Sequence, residues 1–191
     1  MVTAAGKQRF LDAAIRLFAR HSVAGTSLQM IGDELGVTKA AVHHHFRSRQ
    51  ELLLAVIEPV CAELLETVEA AEALRGRHAR AERALTGFVD VVLGHRELLP
   101  VLTGDPGATE LLGSHPGLAA VTGRMIGLLA AADPGPGPGG RIRADIVLSG
   151  IACAAAPGRN DVAPDNLRTH VVDAGRRTLG LRTPRPGRTT P

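Results

Sequence analysis

The sequence predicts an all-α protein, and three observations lead to that prediction. Apolar residues recur at helical spacing along most of the chain, while no segment shows a convincing strand pattern. Several Ser and Thr residues stand where helix N-caps are expected. Aromatic residues make up only 2% of the 191 residues, so Ala, Leu, Val and Ile must build the core, which suits closely packed helices. We expect about nine helices, arranged as an N-terminal three-helix helix-turn-helix domain and a larger helical domain.

The first two predicted helices follow from apolar spacing and from capping residues. Residues 8–20 place apolar side chains on one side of a helix and charged ones on the other, and residues 21–25 form a connection. Thr26 and Gln29 have the spacing of a capping box, so Thr26 is the predicted N-cap of the second helix. Gly36 ends that helix.

The third helix follows at once, because Gly36 and Val37 leave room only for a tight turn. Thr38 is its predicted N-cap, and it runs from Lys39 to about His45. Two short helices joined by a tight turn are the pattern of a helix-turn-helix. Within the third helix only Val42 is clearly apolar, so its outer side is not needed for packing and is available to DNA.

The candidate DNA contacts are the small and polar residues of this segment and its caps. Alanine methyl groups can touch thymine methyl groups, lysine can reach a guanine edge or a phosphate, and the remaining side chains can donate to phosphates. The predicted set is Thr26, Ser27, Thr38, Lys39, Ala40, Ala41, His43, His44 and Arg49. Adjacent helical residues point about 100° apart, so the three successive histidines cannot converge on one metal ion, and we predict no metal site, with His45 either turned inward or capping the helix.

Further helices are predicted downstream. Ser48 and Glu51 form a second capping box that begins a long helix, which either kinks at Pro59 or gives way to a new helix there. Proline and glycine divide the chain after His95 into short helices. The longer segments with helical spacing cover residues 60–74, 81–92, 116–132, 141–156 and 164–179.

Residues 8–58 resemble the N-terminal domain of TetR/AcrR-type repressors. The resemblance rests on the helix starts, the Gly36-Val37 turn, the His45-Phe46 ending and the basic residue after Ser48. The chain departs from the family at His43, where members usually have Tyr. The resemblance implies a variable all-helical C-terminal domain, a homodimer through the last two helices, and a cavity for a small-molecule ligand.

The ligand-binding residues are implied by that resemblance alone. They lie on the helices that surround the inducer cavity of the family, and His95, Arg124 and Cys153 are the polar or polarisable candidates. The scarcity of aromatic residues favours an apolar or small ligand. The predicted set is Phe88, Val92, His95, Leu99, Arg124, Met125, Leu129 and Cys153.

We therefore expect a DNA-binding transcriptional regulator, a repressor that a small ligand releases from double-stranded operator DNA. The alternatives are a helical interaction protein and a regulator without a ligand. We find no Gly-rich phosphate loop after a strand, no HExxH and no GxSxG, so neither an enzyme nor a cofactor is predicted.

The predicted domains are a helix-turn-helix domain over residues 1–50, a ligand-binding and dimerisation domain over 51–181, and a disordered basic tail over 182–191. No secretory signal is visible and the apolar runs are too short to span a bilayer, so we expect a cytoplasmic protein without membrane contact. Cys61 and Cys153 lie in apolar helical stretches, and we expect both to be buried as small apolar residues.

Overall fold

The structure, a computed structural model, describes residues 4–133, 135 and 137–181. The described residues form ten α-helices and one 3₁₀ turn, with no strand, which confirms the all-α prediction and exceeds the predicted number of about nine helices. The predicted disordered tail lies outside these residues. The helices are α1 Ala4–Gly25, α2 Leu28–Leu35, α3 Lys39–His45, α4 Arg49–Glu72, α5 Arg77–Gly94, α6 Leu99–Gly104, α7 Pro106–Gly113, α8 Pro116–Ala130, α9 Gly139–Ala155 and α10 Pro164–Leu179, and the 3₁₀ turn is Arg96–Leu98.

The first helix is longer than predicted, and it breaks where the connection was expected. Ser22 has φ 65, a left-handed conformation that is rare outside glycine. The Thr26 hydroxyl donates a hydrogen bond to the Ser22 carbonyl at 2.8 Å, and the Gly25 N–H donates one to the Ser22 Oγ at 3.1 Å. These bonds hold the chain as it turns from α1 into α2.

The predicted N-cap of α2 is wrong by one residue. Ser27, not Thr26, accepts the Met30 N–H, at 3.2 Å, because Thr26 is buried and its hydroxyl is already bonded to Ser22. The caps of the next two helices are confirmed. Thr38 accepts the Ala41 N–H at 3.2 Å and Ser48 accepts the Glu51 N–H at 3.1 Å. The predicted end of α2 is confirmed as well, because Gly36 follows Leu35 with φ 67, the left-handed conformation of a helix C-cap.

Helix α4 joins two hydrophobic clusters. It continues through Pro59 without interruption over 24 residues, so it is about 36 Å long at 1.5 Å per residue. Its first half packs with α1, α2 and α3 in the N-terminal cluster, which also includes Leu98, Val101, Ala108 and Leu112. Its second half packs with α5, α8, α9 and α10 in the C-terminal cluster. The helix therefore passes from one core to the other near its proline.

The two cysteines are less buried than expected. Cys61 is half-buried, and Cys153 is exposed, so the prediction of a buried Cys153 is wrong. Cys153 lies on the side of α9 that also presents Ile142 and Ile146, whose exposed fractions are 54% and 59%. Of the described helices, none combines the length and the apolar character that crossing a membrane would require.

Candidate nucleic-acid interface and ligand cavity

Helix α3 is fixed by its inner side alone. Val42 is fully buried and Phe46 is 1% exposed, and both pack in the N-terminal cluster with Ile31 of α2. Gly32 permits the tight packing of the turn, because a Cβ at that position would lie 2.8 Å from the Val37 carbonyl oxygen. The orientation of α3 is therefore set without using its outer side.

That outer side forms one open surface, which we name the α3 outer face. It is lined by Lys39, Ala40, His43, His44 and Arg47. The first four were among the predicted DNA contacts. Arg47 was missed because it follows the end of the helix, although it stands four residues after His43, which is the spacing of neighbours on one helical face.

The α3 outer face has unpaired positive charge. In the part of the chain that the structure describes, neither Lys39 nor Arg47 forms an ion pair. Two carboxylates of this region bind groups other than the Lys39 ammonium and the Arg47 guanidinium. Glu34 binds Arg16 at 3.2 Å, and Glu51 accepts the backbone N–H of Arg47 at 2.7 Å. The face can therefore offer its cations to an anionic partner.

The three successive histidines point in different directions. His43 and His44 are exposed, whereas the ring of His45 turns inward and lies 4.8 Å from the Phe10 ring, centroid to centroid. Among the described residues, no cluster of three or more His, Cys, Asp or Glu side chains could hold a metal ion. These histidines can therefore act separately, two on the surface and one in the core.

The flanking polar residues differ in what they can offer. Ser27 and Thr38 are exposed, and each uses its hydroxyl oxygen to accept a capping N–H, which leaves the hydroxyl hydrogen free to donate to a phosphate. Thr26 is buried and its hydroxyl already donates to the Ser22 carbonyl, so it has no hydroxyl hydrogen left to donate to a phosphate. Ala41 is half-buried at the margin of the face. Arg49 is half-buried, and its Nη1 donates to the Ala24 carbonyl at 2.8 Å, which ties α4 to the end of α1.

A buried carboxylate, Asp105, connects the two halves of the molecule. Its Oδ1 accepts the N–H groups of Gly107 and Ala108, at 2.9 and 3.1 Å, and so caps α7. Its Oδ2 accepts the N–H of Val23 just after the break in α1. Asp105 is 6% exposed and 82 residues from Val23 in sequence, so one side chain joins the α6–α7 corner to the turn that leads into α2.

A cavity of about 490 Å³, which we name the α5–α9 cavity, lies in the larger helical region. Five of the eight predicted ligand-binding residues line it, namely Phe88, Val92, His95, Leu99 and Cys153. The other lining residues are Val60, Leu64, Val91, Leu102, Thr103, Thr109, Thr122, Leu148, Ser149 and Ala152.

The other three predicted ligand-binding residues do not line this cavity. Met125 and Leu129 are buried in the C-terminal cluster. Arg124 forms a two-bond ion pair with Glu72 at 3.1 and 2.6 Å, and the hydrogen bond from this guanidinium lowers the pKa of the Glu72 carboxyl. The Arg124 side chain is thus directed to α4.

Comparisons with known proteins agree with this geometry. The profile of the family described as "Bacterial regulatory proteins, tetR family" matches residues 10–56, which include α2, the turn and α3. The N-terminal domain is a tetR-family domain.

The HTH-type transcriptional regulator YerO of Bacillus subtilis, named as uncharacterized, is 42% identical over 52 residues, which are 27% of this chain and 18% of YerO. The HTH-type transcriptional repressor AcnR of Corynebacterium efficiens is 31% identical over 80 residues, which are 40% of this chain and 43% of AcnR. The chain thus spans less than half the length of these two curated relatives.

Solved structures show that the likeness in fold extends over nearly the whole chain. A bacterial regulatory protein of the tetR family from Rhodococcus RHA1 superposes with a TM-score of 0.70 at 19% identity, covering 95% of this chain and 100% of that one. The transcriptional regulator KstR2 of Mycobacterium tuberculosis gives a TM-score of 0.70 at 13% identity, over 93% of this chain and 95% of that one. Both therefore share the arrangement of an N-terminal helix-turn-helix and a C-terminal helical domain.

The last two helices of this TetR-type fold form a shallow apolar groove, the α9–α10 groove. Ile146 and Gly150 stand on the α9 side of it, and Ala174 and Thr178 on the α10 side. Gly175 also lies in it, but a Cβ there would come within 2.7 Å of a Leu85 methyl carbon, so this glycine allows α10 to approach α5. Small side chains in the groove leave both helix backbones accessible to another helix.

Proposed function

We propose that this chain is a DNA-binding transcriptional regulator whose α3 outer face enters the major groove of operator DNA. The observation that carries the proposal is the face itself, which is unpacked and has no acidic side chain among its lining residues. It exposes Lys39 and Arg47, and neither has an ion-pair partner within the described residues. The major groove is wide enough for an α-helix. The protein would act in the cytoplasm, where bacterial operators lie.

The residues of the face suit different parts of the DNA. Ala40 lets the helix backbone approach the groove floor, and its methyl group can contact a thymine methyl. Lys39 can reach a guanine edge or a phosphate. His43, His44 and Arg47 can donate to phosphate oxygens, which fix the register of the helix. Ser27 and Thr38 would add phosphate contacts at the N-termini of α2 and α3, whose helix dipoles also favour anions.

We further propose a homodimer formed through the α9–α10 groove. Two exposed isoleucines beside small residues support this interface, because large apolar side chains of one copy can fill the space that small side chains leave in the other. A two-fold dimer would present two α3 outer faces to successive major grooves, about 34 Å apart.

The proposed regulation is release of a repressor from its operator by a small ligand in the α5–α9 cavity. Two connections support communication between cavity and DNA. Helix α4 supplies cavity residues just after Pro59 and packs against α1 before it. Helices α6 and α7 supply cavity residues on either side of Asp105, which binds Val23. A ligand can weaken DNA binding only if it binds the DNA-bound arrangement less well than the released one.

The experiment that tests DNA binding is selection of bound duplexes from a random oligonucleotide pool, followed by fluorescence anisotropy with the selected site. The proposal expects saturable binding that is lost in Lys39→Ala. The helical interaction protein is favoured instead if no duplex is enriched at low salt. A regulator without a ligand is favoured if DNA binding is present but the α5–α9 cavity accepts no small molecule.

A further inference from the structure

The lining of the α5–α9 cavity contains almost no side chains that can carry a charge. None of its lining residues is Lys, Arg, Asp or Glu, and the ionisable side chains among them are the imidazole of His95 and the thiol of Cys153. His95 is 3.0 Å from the Glu63 carboxylate, measured from Nε2 to Oε1. A protonated imidazole would already have an anionic partner there, so the site offers no free positive charge.

Two arginines neighbour cavity residues in sequence, but neither is among the residues that line the cavity. Arg96 follows His95 directly, but its Nε donates to the Ala155 carbonyl at 2.8 Å. Arg124 is on α8 with the cavity residue Thr122, but it is paired with Glu72. An anionic group placed in the cavity would therefore lose water without gaining a guanidinium or an ammonium partner from the described residues that line it, which is costly.

The polar groups of the cavity wall are mostly hydroxyls. Thr103 and Thr109 donate their hydroxyl hydrogens to the carbonyls of Leu99 and Asp105, at 2.7 and 3.0 Å, so towards a ligand they act as acceptors. Thr122 and Ser149 add exposed hydroxyls at the rim. Such groups suit an alcohol or a carbonyl, while the remaining wall is aliphatic apart from Phe88, His95 and Cys153.

We propose that the α5–α9 cavity selects an uncharged, mainly aliphatic small molecule that has a hydroxyl or carbonyl group, and that it discriminates against carboxylates, phosphates and sulfonates. The proposal rests on the ligand-responsive regulator proposed above and names the chemical class of its ligand. The volume of about 490 Å³ is within the range of sites for small molecules, roughly 300–1,000 Å³.

The test uses two probes that share one alkyl chain length and differ in charge. 1-Octanol is uncharged and has a hydroxyl group, and octanoate has the same chain length with a carboxylate. Both are titrated into the full-length protein at neutral pH by isothermal titration calorimetry. We expect the uncharged probe to bind at least about tenfold more tightly. Equal or tighter binding of octanoate would overturn the proposal, and so would the failure of both probes to bind.

A pair of lysine substitutions shows whether the probes report on this cavity. Thr122→Lys places a cation at the rim, and we expect it to shift the ratio of affinities towards octanoate. Ala120→Lys adds the same charge to an exposed position on another face of α8 and should leave the ratio unchanged. Equal shifts in the two variants would place the probes elsewhere and overturn the proposal. DNA binding of the wild-type protein without probe is measured in parallel, so failure of the ligand class is distinguished from failure of the regulator.

Discussion

Replacing Asp105 should destabilise the protein more than any other single carboxylate, because one side chain accepts three backbone N–H groups. Loss of the α7 cap in Asp105→Ala costs about 1 kcal/mol. The buried Val23 N–H loses its acceptor, which costs about 1–3 kcal/mol more. The expected fall in the free energy of unfolding is thus about 2–4 kcal/mol.

Urea denaturation followed by circular dichroism measures this difference. All variants are compared at one protein concentration, because dimerisation contributes to apparent stability. Asp105→Asn is the informative second variant. Its amide oxygen can still cap α7, but its NH₂ group would face the Val23 N–H, so we expect a smaller loss of stability together with weaker DNA binding. Asp161→Ala, at an exposed position in the loop before α10, is the control and should change stability by less than about 0.5 kcal/mol. Equal stability of Asp105→Ala and the control would refute the reasoning.

Three further predictions concern the DNA face, the dimer and the cysteines. Lys39→Ala and His44→Ala should each weaken operator binding in anisotropy titrations while light scattering reports an unchanged oligomer. Ile146→Asp buries a charge in the proposed interface, so sedimentation velocity should detect monomers; a stable dimer would exclude this face. In the Ile146→Asp variant, where the α9–α10 groove is uncovered, iodoacetamide followed by peptide mass spectrometry should modify Cys153 well before Cys61, because Cys153 is exposed and because burial, with the nearby Glu58, raises the pKa of the Cys61 thiol. Modification of Cys61 first would contradict the described exposure.

The N-terminal fold could be predicted because its signals are local. Gly36 needs a left-handed backbone and Thr38 caps the following helix, so the bounds of α3 follow from residues within the turn itself. The N-cap of α2 shows the limit of that reasoning. Thr26 and Ser27 are both good caps by residue type. The choice between them depends on the backbone conformation of Ser22, whose carbonyl accepts the hydrogen bond of the Thr26 hydroxyl. The sequence predicts a connection over residues 21–25, but it does not predict this conformation.

The site residues that could not be predicted depend on contacts between distant segments. Asp105 stands in a Gly-Asp-Pro-Gly stretch that indicates only a turn, and its bond to Val23 spans 82 residues. Arg124 has the type of a ligand-binding residue, but its partner Glu72 is 52 residues away and removes it from the cavity. Residue type suggests what a side chain can bind, whereas the packing of helices determines which partner it meets.

The measurement that tests the central claim most directly is the salt dependence of operator binding. In a dimer, Arg47→Ala removes two phosphate contacts, so the slope of log K against log salt concentration should become less negative by about 2 relative to wild type. Arg75 is exposed and lies just beyond the end of α4, so about 36 Å of helix separates it from the start of α4 near the α3 outer face. Arg75→Ala should therefore keep the wild-type slope. Identical slopes for the wild-type protein and Arg47→Ala would contradict the claim that the outer side of α3 lies against DNA.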